Sequence, residues 1–257
     1  MIKPNNRITR PPMGEQFRTL RPFQRLYCDF LGPYPCSKSR NCQLFIAVDH
    51  FTKFLFLKPM KSATSIGVID YLHNELFCTF GIPQYIHTDN AKQFTSKEMR
   101  EFFATYGIRH ITTGFYSPQA NAAERANREI ISKIRYFLRD ETNHLNWDRD
   151  IPRILTVLRS DVHSGIGTAP YRAVFGQNMI LHGSTYDVLE KLDMLNDDTI
   201  VEHADRLQAI RDKISHNLDV AHEKASKIYN TRTRHVNFVS GQEVFRKNHS
   251  QSNFGKA

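Results

Sequence analysis

Three short runs, FQRLYCDFLG, CQLFIAVDHF and KFLFLKPM, fall within residues 23–60, separated by turn-forming stretches such as GPYPCSKSRN. They are rich in β-branched and aromatic residues and too short to be helices, so they read as consecutive strands of one antiparallel meander. The rest of the chain must then cover that sheet. Residues 64–80 place apolar side chains at Ile66, Ile69, Tyr71, Leu72, Leu76 and Phe80, close to a helical face ended by Gly81 and Pro83. YIHTD is a short buried strand. SKEMREFFATYG is a helix with Ser96 as N-cap and Gly107 as its stop, and IRHITT is one more strand. Helices are predicted over residues 120–139 and 147–160. The order βββαβαβαα predicts an α/β fold, a mixed five-stranded sheet flanked by helices.

Composition narrows the class. A chain of 257 residues with 40% hydrophobic and 11% aromatic content is globular, and a formal charge of +9 favours a polyanionic partner, nucleic acid first among them. Cys28, Cys36, Cys42 and Cys78 form no C-x-x-C pair and suit neither a disulfide scaffold nor a zinc knuckle. Reduced thiols in an intracellular compartment are expected. No apolar run is long enough to span a membrane.

The texture divides the chain into five parts. Residues 1–21 form a basic arm rich in Arg and Pro, 22–180 the core, and 181–199 an acidic linker. Residues 200–234 repeat Leu207, Ile210, Ile214, Leu218, Ala221, Ala225 and Ile228 at amphipathic helical spacing, a seam for a partner or a second copy. Residues 235–257 read as the first strand of a small β module that is cut short.

The chemistry rests on carboxylates from separate elements. Asp29 alternates with Cys28 and Phe30 in the first strand, Asp89 ends the strand YIHTD, and Glu124 stands in the first turn of its helix. Singly, each is an ordinary turn former, cap or dipole partner. Together they form an oxygen-only ligand set of the kind divalent Mg²⁺ takes, and phosphodiester chemistry often uses two such ions. Basic and polar residues around them would hold phosphates: Lys92 after Asp89, Gln119 and Asn121 before Glu124, Arg128 one turn after it on the same face, and Lys133 beyond. Tyr116 is a candidate to stack on a frayed base or to pack against its own loop. His87 and His110 read as core residues.

The runs RLYCDFLGPYP, LFIAVDHFTKFLFLKPM, HTDNAKQFTSKEMREFFATYGIRH, YSPQANAAERANREI and NWDRDIPRILTVLRSDVHSGIGTAPYRAVFGQ together resemble the integrase core of retroviruses and gypsy-type LTR retrotransposons, over about residues 22–180. The resemblance implies an RNase H-like fold and a D,D,E triad of Asp29, Asp89 and Glu124 holding two Mg²⁺ or Mn²⁺. It implies a nuclear polynucleotidyl transferase that trims DNA 3′ ends and joins them to target DNA as a homo-oligomer. Asp49, in VDHFTK, falls outside the triad and reads as structural. Ala91 and Ala122 stand where the family often has Gly, and the zinc-binding module that usually precedes the core is not seen. The alternative is a non-catalytic, host-retained DNA-binding or scaffolding protein derived from such an element. Another RNase H-like nuclease fits the PQANAAER run poorly.

Overall fold

The computed structural model describes residues 18–112, 144–191 and 200–231. Five strands, β1 (Arg25–Leu31), β2 (Gln43–Asp49), β3 (Leu55–Met60), β4 (Tyr85–Thr88) and β5 (Arg109–Thr112), form one mixed sheet in the order β3-β2-β1-β4-β5. The first three pair antiparallel as a meander, while β4 joins β1, and β5 joins β4, in parallel. Parallel pairing requires crossovers, and the helical segments before β4 and β5 supply them.

Alternation along the strands explains why β2 is buried from Leu44 to Asp49. Phe45 and Ala47 join Leu26, Cys28, Ile86 and Phe56 in a core on one face, whereas Leu44, Ile46 and Val48 join Leu31, Leu55 and Leu57 on the other. Two apolar layers on one strand leave no polar side, so the run reads as continuously hydrophobic.

The first face is covered by α1 (Ser65–Tyr71), its π-helical continuation Leu72–Phe77 and a last turn Cys78–Phe80. Thr64 caps it by accepting from the Gly67 N–H. The wider π turn departs from the uniform helix that the spacing predicts; it brings Leu72, Leu76 and Phe77 together onto the buried side. After the short α2 (Lys92–Thr95) comes α3 (Lys97–Thr105), with Ser96 accepting from the Met99 N–H and Met99 and Phe103 buried, as the sequence predicts. The helix predicted over residues 120–139 lies outside the described residues.

The second face is covered by α4 (Ile151–Ser160), preceded by a 3₁₀ turn at His144–Arg149. The single helix predicted over residues 147–160 is thus divided. Pro152 sits in the first turn of α4, where its missing N–H is harmless, and so marks the true start. Trp147, Ile151 and Ile154 are buried there. The Arg159 guanidinium donates twice to the Leu55 carbonyl while lying 4.3 Å from the Phe54 ring centroid.

Beyond the core, α5 (Pro170–Phe175) receives the long α7 (Ile200–Asn230). Ile214 is fully buried against Phe51, Ile166 and Ala173, with Ile210 and Leu218 beside it. The first half of the seam expected to meet a partner therefore docks on the chain's own core, while Ala221 and Ile228 remain exposed. Gly167 makes this possible. Its φ is +65°, and a Cβ there would stand 2.7 Å from Asn217 Nδ2, which donates to the Ile166 carbonyl. Within the stretch read as an acidic linker, Ser184–Lys191 forms a helix, α6, with no buried residue.

One cysteine expectation is corrected. Cys36 and Cys42 are joined in a disulfide, because the β1–β2 connection folds back on itself through Tyr34 N–H to Cys42 O and Ser37 N–H to Asn41 O and brings the two Cα atoms within 4.4 Å. Cys28 and Cys78 are free, the former buried with its thiol pushed up by desolvation.

Candidate active site

The parallel register of β1 and β4 pairs Leu26 with Ile86 and Tyr27 with His87. The pairing ends there, with Asp29 two residues further along β1 and Asp89 directly after β4, so both lie toward the carboxyl ends of neighbouring strands. Alternation places Asp29 opposite Ile46, on the second face, away from Cys28. Asp29 is half-buried and Asp89 exposed. Carboxylates at strand tips can reach a ligand, whereas carboxylates deep in the sheet could not.

Local hydrogen bonds fix both side chains. Asp29 Oδ1 accepts from the Phe30 N–H at 2.7 Å, and Asp89 Oδ1 from the Ala91 N–H at 3.0 Å. The latter is an Asx turn that reverses the chain into α2, at whose first position Lys92 stands exposed. Ala91 occupies that turn with φ −63° and ψ 146°, ordinary extended values, so the methyl in place of the family's frequent Gly introduces no strain. Below the tips, the Tyr27 ring lies 4.9 Å from that of His87. Burial, with the nearby Arg25 and His110 charges adding, lowers His87 to about 4, so its imidazole is neutral at pH 7. His110 bonds the Thr88 hydroxyl at 2.8 Å.

Asp49 contrasts with the pair. It is fully buried and accepts from the Phe23 N–H, the Thr52 N–H and the Thr52 hydroxyl, tying the segment before β1 to the turn after β2. Desolvation raises its pKa to about 6 despite those bonds. Lys53, buried in the same turn, donates to the His50 carbonyl, and burial lowers it to about 8. The structural reading of Asp49 stands.

The donor set suits a hard divalent cation, since Asp29 and Asp89 offer only carboxylate oxygen. Among the described residues no group of three His, Cys, Asp or Glu side chains comes together. Glu124, Tyr116, Gln119, Asn121, Arg128 and Lys133 lie outside the described residues.

The sheet order, the helices on both faces and the long C-terminal helix are the fold of integrase catalytic cores. The comparisons agree: residues 19–118 match the integrase core domain family, a stretch that contains the whole sheet with Asp29 and Asp89 and stops before Glu124. The chain is 28% identical over 197 residues to the Pro-Pol polyprotein of feline foamy virus, covering 76% of this chain and 16% of that protein. It is 23% identical over 212 residues to human Gypsy retrotransposon integrase-like protein 1, covering 82% of this chain and 40% of that one. The chain thus spans less than half the length of either relative. A cryo-EM structure of the simian T-cell lymphotropic virus intasome in complex with PP2A regulatory subunit B56 gamma superposes with a TM-score of 0.54 and 24% identity, covering 65% of this chain and 60% of that one. The resemblance to retroviral and gypsy-type integrase cores is found both by sequence and by fold.

Proposed function

We propose that this chain is the core of a retroelement-type integrase, which trims the 3′ ends of an element's DNA and joins them to target DNA. The observation that supports it most directly is the parallel pairing of β1 with β4, which leaves Asp29 and Asp89 both on the carboxyl side of neighbouring strands. Two carboxylates brought together at one point would repel each other, and a divalent cation between them would relieve that repulsion. Asp29, Asp89 and Glu124 would hold two Mg²⁺ or Mn²⁺ ions, which when bound stabilise the attacking and leaving oxygens of an in-line displacement at phosphorus. Lys92, beside Asp89, would fix a neighbouring phosphate. Neutral His87 adds no charge to the site.

The test uses the full chain with labelled terminal-repeat duplexes and Mg²⁺ or Mn²⁺. Shortened and joined strands are expected from the parent and not from Glu124→Gln. DNA binding without any metal-dependent nicking would instead favour the non-catalytic, host-retained reading. Light scattering on the same samples would read the association of copies that this function entails.

A further inference from the structure

The connection between β1 and β2, residues 32–42, is built more firmly than a turn requires. Cys36 and Cys42 close it covalently. Its base is pinned to the 3₁₀ turn at His144–Arg149: Ser37 Oγ and Asn41 Nδ2 both donate to Asp148 Oδ2, at 2.7 and 2.8 Å, the Lys38 N–H donates to the Leu145 carbonyl, and Trp147 Nε1 to the Pro35 carbonyl. The Tyr34 and Trp147 rings lie 5.5 Å apart.

At the tip of this pinned loop stand Lys38, Ser39 and Arg40, all exposed, the last at φ +64°. Neither cation has a carboxylate partner among the described residues. Asp148, the acid that the loop touches, is already engaged by Ser37 and Asn41. The loop leaves the same end of β1 that carries Asp29, and it docks on the same face of the sheet, where Leu31 and Trp147 share a cluster. Lys61, exposed directly after β3, extends the row, since the Cys42 N–H bonds the Met60 carbonyl. Exposed cations on a pinned backbone repay little in stability, and a polyanion is the partner that uses them.

We propose that the disulfide-closed loop of residues 32–42 is a DNA-backbone contact, in which Lys38 and Arg40 grip phosphates of a duplex lying across the carboxyl end of the sheet. The proposal rests on the integrase reading for the partner, but not on catalysis. Because the loop backbone is already ordered, binding there costs side-chain freedom but little further backbone freedom.

The experiment is fluorescence anisotropy of a labelled duplex titrated with the full chain in EDTA, at several salt concentrations. Lys38→Ala/Arg40→Ala is compared with Lys213→Ala, which removes an exposed charge from α7, and with the charge-keeping Lys38→Arg/Arg40→Lys. Each lost phosphate contact should lower the salt slope by about 1 and weaken binding on the order of fivefold near 0.15 M salt, with the charge-keeping variant close to the parent. A double alanine variant that matches Lys213→Ala in slope and affinity overturns the proposal, as does a parent that binds no duplex. If the loop variants lose binding while the parent never nicks DNA with metal, the integrase reading fails and this surface stands.

Discussion

Asp29 on β1 and Asp89 directly after β4, sixty residues apart in sequence, both lie on the carboxyl side of Tyr27 and His87, the last paired residues of these neighbouring parallel strands. Asp49, at the end of β2, is buried and saturated by hydrogen bonds instead. The two kinds of aspartate should separate cleanly in mutants. Asp89→Asn, at an exposed tip, is expected to leave the urea midpoint unchanged and, if the proposed function holds, to remove most metal-dependent nicking. An Asp89→Asn protein that nicks like the parent would remove Asp89 from the chemistry.

Asp49 also sets a pH dependence. Its folded pKa of about 6 lies above the ordinary carboxylate range, so the folded state holds its proton more tightly than the unfolded chain does. Its contribution is therefore favourable below about pH 4 and is lost as pH rises through about 6. Asp49→Asn does not titrate. Urea midpoints measured from about pH 4 to 7 should move in favour of the Asn variant up to about pH 6 and then run parallel. Parallel curves throughout would show that Asp49 does not hold its proton this way.

The single tryptophan reports on the disulfide loop. Trp147 is buried, donates to the Pro35 carbonyl and packs on Tyr34, both in residues 32–42. Reduction with dithiothreitol, or Cys36→Ser/Cys42→Ser, should loosen that cover and shift Trp147 emission to longer wavelength, without global unfolding by far-UV circular dichroism. An unchanged spectrum would mean the loop is held by its hydrogen bonds alone.

The docking of α7 is tested at Ile214. Truncating this fully buried side chain to Ala should lower stability by about 2–5 kcal/mol, read by urea denaturation. Ile228→Ala, on the exposed stretch of the same helix, should change it by less than about 0.5 kcal/mol. Equal effects would contradict the packing of α7 on Phe51 and Ala173.

Much of the fold was legible because its signals are local. Alternation in RLYCDFL and Ser96 before an apolar-periodic segment each fix a conformation within a few residues, and the structure agrees with them. The misses share a cause. The π turn at Leu72–Phe77 arises where a helix adjusts its face to a core formed by distant strands. The Cys36–Cys42 bridge depends on a loop shape that a spacing of six residues does not dictate. The amphipathic seam of α7 announced that something would cover it but could not name Phe51, Ile166 and Ala173 as the cover. At the site, the acidic residues are visible in the sequence, whereas the parallel pairing of β1 with β4 that brings their strands together is not.

The order of residues alone determined the elements, the positive charge and which acids were available, because these depend on near neighbours and on composition. Tertiary structure decided which acid is buried, which strand lies beside which, and that the loop of Lys38 and Arg40 is rigid. Those outcomes depend on contacts between segments far apart in the chain, and such contacts exist only once the core has closed.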